Sequence, residues 1–261
     1  TCTFSNTYHA PDTTPPTVTI NQASGQADPT NSSPINFTVV FSEPVSGFAT
    51  GDVTLSGTAG ATTATVSGGP TTYNVAVSGM TTSGTVIATV GANVAEDAAG
   101  NDNTASTSTD NSVTYDTTPP DTAITGHPTN PSNSSSASFT FETYDPGNTL
   151  ACRIDGGAWL ACTSPQNYTG LSDGSHTFEV RATDAAGNTD PTPASYTWVI
   201  DTAAPTVTIN QASGQADPTS SSPINFTVVF NEPVSGFATG DVTLGGTAGA
   251  TTATVSGGPT T

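Results

Sequence analysis

Lysine is absent from this chain, and its only cationic side chains besides histidine are Arg153 and Arg181, against 21 aspartates and glutamates. The formal net charge is −19. Recognition of DNA or RNA requires cations to neutralise phosphates, so that class of function is excluded. An anionic bilayer surface is disfavoured on the same ground. Without lysine there is neither a Schiff-base nucleophile nor a phosphate-cradling loop ending in Lys. The histidines, His9, His127 and His176, stand apart without zinc-ligand spacing, and no G-x-S-x-G elbow occurs. Acidic pairs such as Glu96-Asp97 are adjacent in sequence, which is poor spacing for a matched acid and base. The pattern reads as non-enzymatic. Long apolar runs are missing too, since none approaches the roughly 18–20 residues of a membrane span. No stretch reads as a secretory leader, which says little about export in a chain whose first residue reads as mid-protein. Helical periodicity is lacking over any useful length; the patch Val94–Ala99 runs into Gly-Asn and reads as a loop.

What the chain does contain is repetition. Residues 12–72 recur at 201–261 with five differences: Thr14/Ala203, Pro15/Ala204, Asn31/Ser220, Ser42/Asn231 and Ser56/Gly245. Near-identity at a fixed offset of 189 residues marks an array. The second copy reaches the equivalent of Thr72 at Thr261, so the expectation is a piece of a longer chain or a last domain completed by another molecule. If the array continues, residues close to Tyr73–Met80 should follow.

Hydrophobic content is 33%, low for a globular protein, yet the apolar residues alternate rather than scatter. Alternation favours small β-domains over disorder. Asp12-Thr13-Thr14-Pro15-Pro16, Asp116-Thr117-Thr118-Pro119-Pro120 and Asp201-Thr202-Ala203-Ala204-Pro205 are joints, stiffened by prolines that fix φ and extend the residue before them. They divide the chain into residues 1–11, a terminal strand or linker; 12–116, a domain of type A; 117–201, a domain of type B; and 202–261, an incomplete second type A.

In type A about seven short strands with Gly, Pro and Asn turns are predicted. They are Thr17–Gln22, Ile35–Glu43, Asp52–Ser56, Thr62–Ser67, Thr72–Ser78, Thr85–Val90 and Ser112–Asp116. Ile35, Phe37, Val39 and Phe41 share one face at period two. The expected fold is all-β, with tandem immunoglobulin-like β-sandwiches in an elongated rod. Type B differs in sequence and keeps the alternation, with Phe139, Phe141, Phe178, Val180, Tyr196 and Trp198 as its core candidates. Between Cys152 and Cys162 lies Asp155-Gly156-Gly157, a hairpin signal that would set the two cysteines opposite each other. A disulfide is expected there, worth about 2–3 kcal/mol for a loop of that length, and with it an oxidising, extracytoplasmic setting. Two reduced core thiols are the alternative.

Thr1-Cys2-Thr3-Phe4-Ser5-Asn6-Thr7 resembles the closing strand of prealbumin-like β-domains of bacterial surface proteins, which would leave Cys2 to a preceding domain or as a lone buried thiol. Phe41-Ser42-Glu43-Pro44-Val45-Ser46-Gly47-Phe48, Gly51-Asp52-Val53-Thr54-Leu55 and Asp97-Ala98-Ala99-Gly100-Asn101 resemble the bacterial Ig-like repeats of large surface and adhesin proteins. Cys152–Trp159, Leu171–Phe178 and Asp184-Ala185-Ala186-Gly187-Asn188 resemble a second bacterial Ig-like type that carries the same paired cysteines. The resemblance implies a structural position for His176.

It also implies calcium at the domain junctions, as in many long bacterial Ig-like adhesins. Hard cations take several oxygen ligands. The candidates are the joint aspartates Asp12, Asp116 and Asp201 and the loop pairs Asp97/Asn101 and Asp184/Asn188. Glu43 and Glu232 are further oxygen candidates. The alternative is turn chemistry, since Asp and Asn bond their own backbone in turns. The implied role is a stalk or filament segment of a bacterial extracellular surface protein, with neighbouring Ig-like domains as partners and a host receptor or glycan unidentified. Two other readings stand beside it. One is a filament subunit completed by strand donation, with Thr1–Thr7 as donor. The other is a carbohydrate-binding module using Trp159.

Overall fold

A computed structural model of the chain describes residues 10–258. The strand expected at Thr1–Thr7, with Cys2 and His9, lies outside the described residues.

Alternation becomes strands in the first unit. These are β1 (Val18–Gln22), β2 (Ile35–Phe41), β3 (Val53–Ser56), β4 (Thr63–Gly68), β5 (Thr72–Ser78), β6 (Gly84–Val90) and β7 (Ser112–Tyr115). They form two sheets, ordered β1-β2-β5-β4 and β3-β6-β7, and every named pairing is antiparallel. In β2 the residues Ile35, Phe37, Val39 and Phe41 are buried while Asn36, Thr38 and Val40 face outward. Val18, Ile20, Val75, Val77, Val86, Val90 and Val113 close the core from both sheets. Each large apolar side chain buried in this way stabilises by about 1.5–3 kcal/mol. Asp52, expected at the start of a strand, instead ends a single 3-10 turn, Thr50–Asp52, where its carboxylate accepts the Ala49 N–H at 2.7 Å. Residues 94–99 are a loop.

The second unit holds β8 (Thr122–Gly126), β9 (Ala137–Thr143), β10 (Thr149–Ile154), β11 (Leu160–Ala161), β12 (Gln166–Tyr168), β13 (Gly174–Thr183) and β14 (Ala194–Ile200). Its sheets run β12-β9-β8 and β11-β10-β13-β14. Phe139 and Phe178 stack between them, with centroids 4.1 Å apart, and Trp198 meets Phe139 edge-on at 5.1 Å. Five of the six expected core residues are buried. Tyr196 is half-buried because its hydroxyl reaches out to the Pro128 carbonyl at 3.2 Å, while its ring stacks on His127. A buried hydroxyl needs such a partner.

The third unit pairs β15 (Val207–Gln211) with β16 (Phe226–Phe230) in the register of β1 with β2. No counterparts of β3 and β4 form among its described residues. Phe226, Ile209 and Val207 are 59%, 56% and 55% exposed, whereas Phe37, Ile20 and Val18 are at most 1% exposed.

Candidate functional site

The two Asp-Ala-Ala-Gly-Asn loops fold alike because each aspartate organises its own turn. Asp97 Oδ1 accepts the N–H groups of Ala99 (2.8 Å) and Asn101 (2.9 Å), and Oδ2 accepts the Asn101 side-chain amide at 2.8 Å. Asp184 Oδ1 accepts the Asn188 N–H and Oδ2 its side-chain amide, both at 2.8 Å. Gly100 and Gly187 take positive φ, +84° and +92°, which an L side chain resists. The same asparagine amide then reaches the preceding joint. Asn101 donates to the Asp12 carbonyl at 3.2 Å, and Asn188 to the Asp116 carbonyl at 2.8 Å. Two units that differ in most of their sequence but share this loop and joint therefore carry the same clasp between them.

The first joint has a further feature. One carboxylate oxygen each of Asp12, Glu43 and Asp97 lie within 4.8 Å of one another. Asp97 is buried, Glu43 half-buried and Asp12 exposed. The Glu43 carboxyl is pushed up, by partial burial first and then by the Asp97 and Asp12 charges. Asp97 is held down, chiefly by the bonds from Asn101. The chain's two arginines both lie in the second unit, so no lysine or arginine of the first unit balances these charges. An all-oxygen, strongly anionic donor set of this kind suits a hard divalent cation.

The other expected ligands are placed differently. Asp116 Oδ1 accepts the Ser83 hydroxyl (3.2 Å) and the Thr118 N–H (2.9 Å), and Asp184 is bonded within its own loop as Asp97 is. Among the described residues, no group of three Asp, Glu, His or Cys side chains includes Asp116, Asp184 or Asp201. Asp201 accepts the Ala203 N–H at 3.1 Å, and its own N–H donates to the Ser132 carbonyl at 2.9 Å. Glu43 was legible only as an acid before a proline. Its approach to Asp12 and Asp97 is produced by packing between residues far apart in sequence.

The hairpin forms at Asp155-Gly156, with φ of +53° and +69° and the Gly157 N–H donating to the Ile154 carbonyl at 2.9 Å. Cys152 faces Leu160 in the ladder rather than Cys162, so the disulfide spans the strands diagonally, with Cα atoms 5.7 Å apart. Trp159 is half-buried. Both guanidinium groups of the chain lie over its ring, Arg153 at 4.4 Å and Arg181 at 4.3 Å from the centroid. Arg153 is also bound bidentate to Glu179, at 2.6 and 2.8 Å. The indole face offered to a sugar ring in the carbohydrate reading is thus engaged by cations. His176 is buried against Trp198, with both ring nitrogens hydrogen-bonded.

A search of curated proteins gave no match. Among solved structures, the crystal structure of a tetra-tandem repeat in the extending region of a large adhesion protein is similar at 19% identity and a TM-score of 0.28. It aligns over 82% of this chain and 56% of that one, so this chain spans little more than half the length of that structure. At that score the likeness carries no structural argument. No helix among the described residues is long and apolar enough to cross a membrane. Residues 12–115, the first sandwich with its leading joint, match the family described as bacterial Ig-like domain.

Proposed function

We propose that the chain is a load-bearing stalk segment of a bacterial extracellular surface protein of adhesin type, which holds a distal binding region away from its anchor. The observation that carries this reading is the recurrence of one clasp at the first two joints, from Asn101 to the Asp12 carbonyl and from Asn188 to the Asp116 carbonyl. A clasp between loop and joint restrains a sandwich against bending on its linker, which is what a spacer requires and a freely jointed chain lacks. The role is mechanical rather than catalytic. Antiparallel ladders and the Cys152–Cys162 link bear tension, and the link suits an oxidising exterior. The acidic surface keeps neighbouring stalks apart at low salt. The partners are other Ig-like units in series.

Calcium is part of this proposal at the first joint only. Asp12, Glu43 and Asp97 would hold it, and the ion would neutralise three converging carboxylates and tie the joint to the loop. Small-angle scattering of the whole chain tests the stalk. An elongated particle is expected, and a compact one would sink the reading.

A further inference from the structure

Asn31, on the loop between β1 and β2, belongs to the first sandwich but bonds to the second. Its N–H donates to the Ala186 carbonyl at 3.2 Å, and its side-chain amide donates to Asn188 Oδ1 at 3.1 Å. Ser32 steadies it by donating its hydroxyl to Asn31 Oδ1 at 3.2 Å. The loop beneath is firmly based. The buried Thr30 gives its N–H to the Thr114 carbonyl at 3.0 Å and accepts the Asp116 N–H at 2.9 Å. Asn31 and the joint residue Asp116 therefore sit on one scaffold, and Asn188 is gripped from both. Its oxygen takes Asn31, and its amide serves Asp184 and the Asp116 carbonyl.

The repeat supplies an independent observation. Among the positions that differ between the copies, Asn31/Ser220 is the one whose first-copy residue hydrogen-bonds to the other sandwich. Ser42/Asn231 keeps its bond, because Ser42 Oγ accepts the Thr17 N–H at 3.0 Å and Asn231 Oδ1 accepts the Thr206 N–H at 2.6 Å. Serine at position 31 would end one bond short of the amide nitrogen that meets Asn188. The second sandwich repeats the scaffold. Ser132 donates to the Val199 carbonyl and accepts the Asp201 N–H, both at 2.9 Å, which puts Asn133 where Asn31 stands in the first.

We propose that Asn31 is an orientation lock between the sandwiches, and that the residue at this place in each unit sets how firmly the next one is held. The partner surface is the Asp-x-x-Gly-Asn loop of the following Ig-like unit. Asparagine at positions 31 and 133 makes a locking pole, and serine at 220 makes a released one. This rests on the stalk reading and adds to it that stiffness is written joint by joint.

The test places the second copy's residue in the first junction. Residual dipolar couplings of the whole chain in one alignment medium should fit a single tensor for residues 17–115 and 122–200. In Asn31→Ser they should require two, with amide shifts inside each sandwich unchanged. Ser42→Asn, another of the copy-to-copy exchanges, should retain the single tensor. Two tensors in the unsubstituted chain, or one tensor in Asn31→Ser, would overturn the lock. A compact particle in scattering would instead remove the stalk reading while leaving the tensor comparison to decide the lock.

Discussion

His176 Nδ1 lies 2.8 Å from Asp155 Oδ2, and the ring's other nitrogen lies 2.8 Å from the Ser172 carbonyl. Only the imidazolium can donate at both nitrogens. Its pKa is accordingly raised, first by the bond to Ser172 and then by that to Asp155. A raised folded-state pKa gives a contribution that is full below the unfolded value, about 6.5, and lost as pH rises through the folded one. Chemical denaturation of the second sandwich should therefore show stability falling as the buffer is taken from mildly acidic to mildly alkaline. His176→Gln should flatten that slope. An NMR titration placing His176 at or below the ordinary histidine value would refute the assignment.

Calcium at the first joint predicts a ligand-linked melting temperature. A cation that binds the folded state alone raises stability by about 2.7 kcal/mol at a hundredfold excess over its Kd. Millimolar calcium should raise the melting of the first sandwich, and Glu43→Gln, which removes one of the three carboxylates, should abolish the rise. An unchanged calcium response in Glu43→Gln would retire the site.

The repeat allows one substitution to be made twice. Phe37→Ala removes a side chain that is 0% exposed, and such changes cost about 3–5 kcal/mol. Phe226→Ala removes the same residue from the same local sequence where it is 59% exposed, and surface substitutions usually stay within about 0.5 kcal/mol. Thermal unfolding of the two variants should differ accordingly. Equal losses would mean that residues 207–230 are packed as tightly as residues 18–41.

Alternation in Ile35–Phe41 was legible because one buried face at period two leaves few other solutions. The Asp155-Gly156 turn was legible because few residues besides Asn, Asp and Gly tolerate its positive φ. The contents of the joints were harder to read. Asp97 and Asn101 could be identified as turn-formers or as ligands; their mutual bonds form a turn, and Asp97 also lies beside Asp12 and Glu43. The meeting of Asp97 with Glu43, and of Asn31 with Asn188, joins residues 54 and 157 positions apart, with no local signal. Trp159 stood as the candidate for a sugar ring because nothing in its own hairpin shows that Arg181 will reach it from the neighbouring strand β13.

The near-identical copies divide the two kinds of information. In both, the first strand pair takes the same register, Phe41 meets Phe48 and Phe230 meets Phe237 edge-on near 5 Å, and the Thr-Gly-Asp turn forms. The sequence alone determines these, because every partner lies within a short span of chain. Whether β3 and β4 form, and whether Phe37 is dry or its twin Phe226 is wet, is decided by tertiary structure. Strand β5 pairs with both β2 and β4, β6 pairs with β3, and Val86, Val90 and Val113 of β6 and β7 help to close the core. Among the described residues of the second copy the only sheet is β15-β16. Burial requires a second surface, which a two-stranded sheet does not supply by itself.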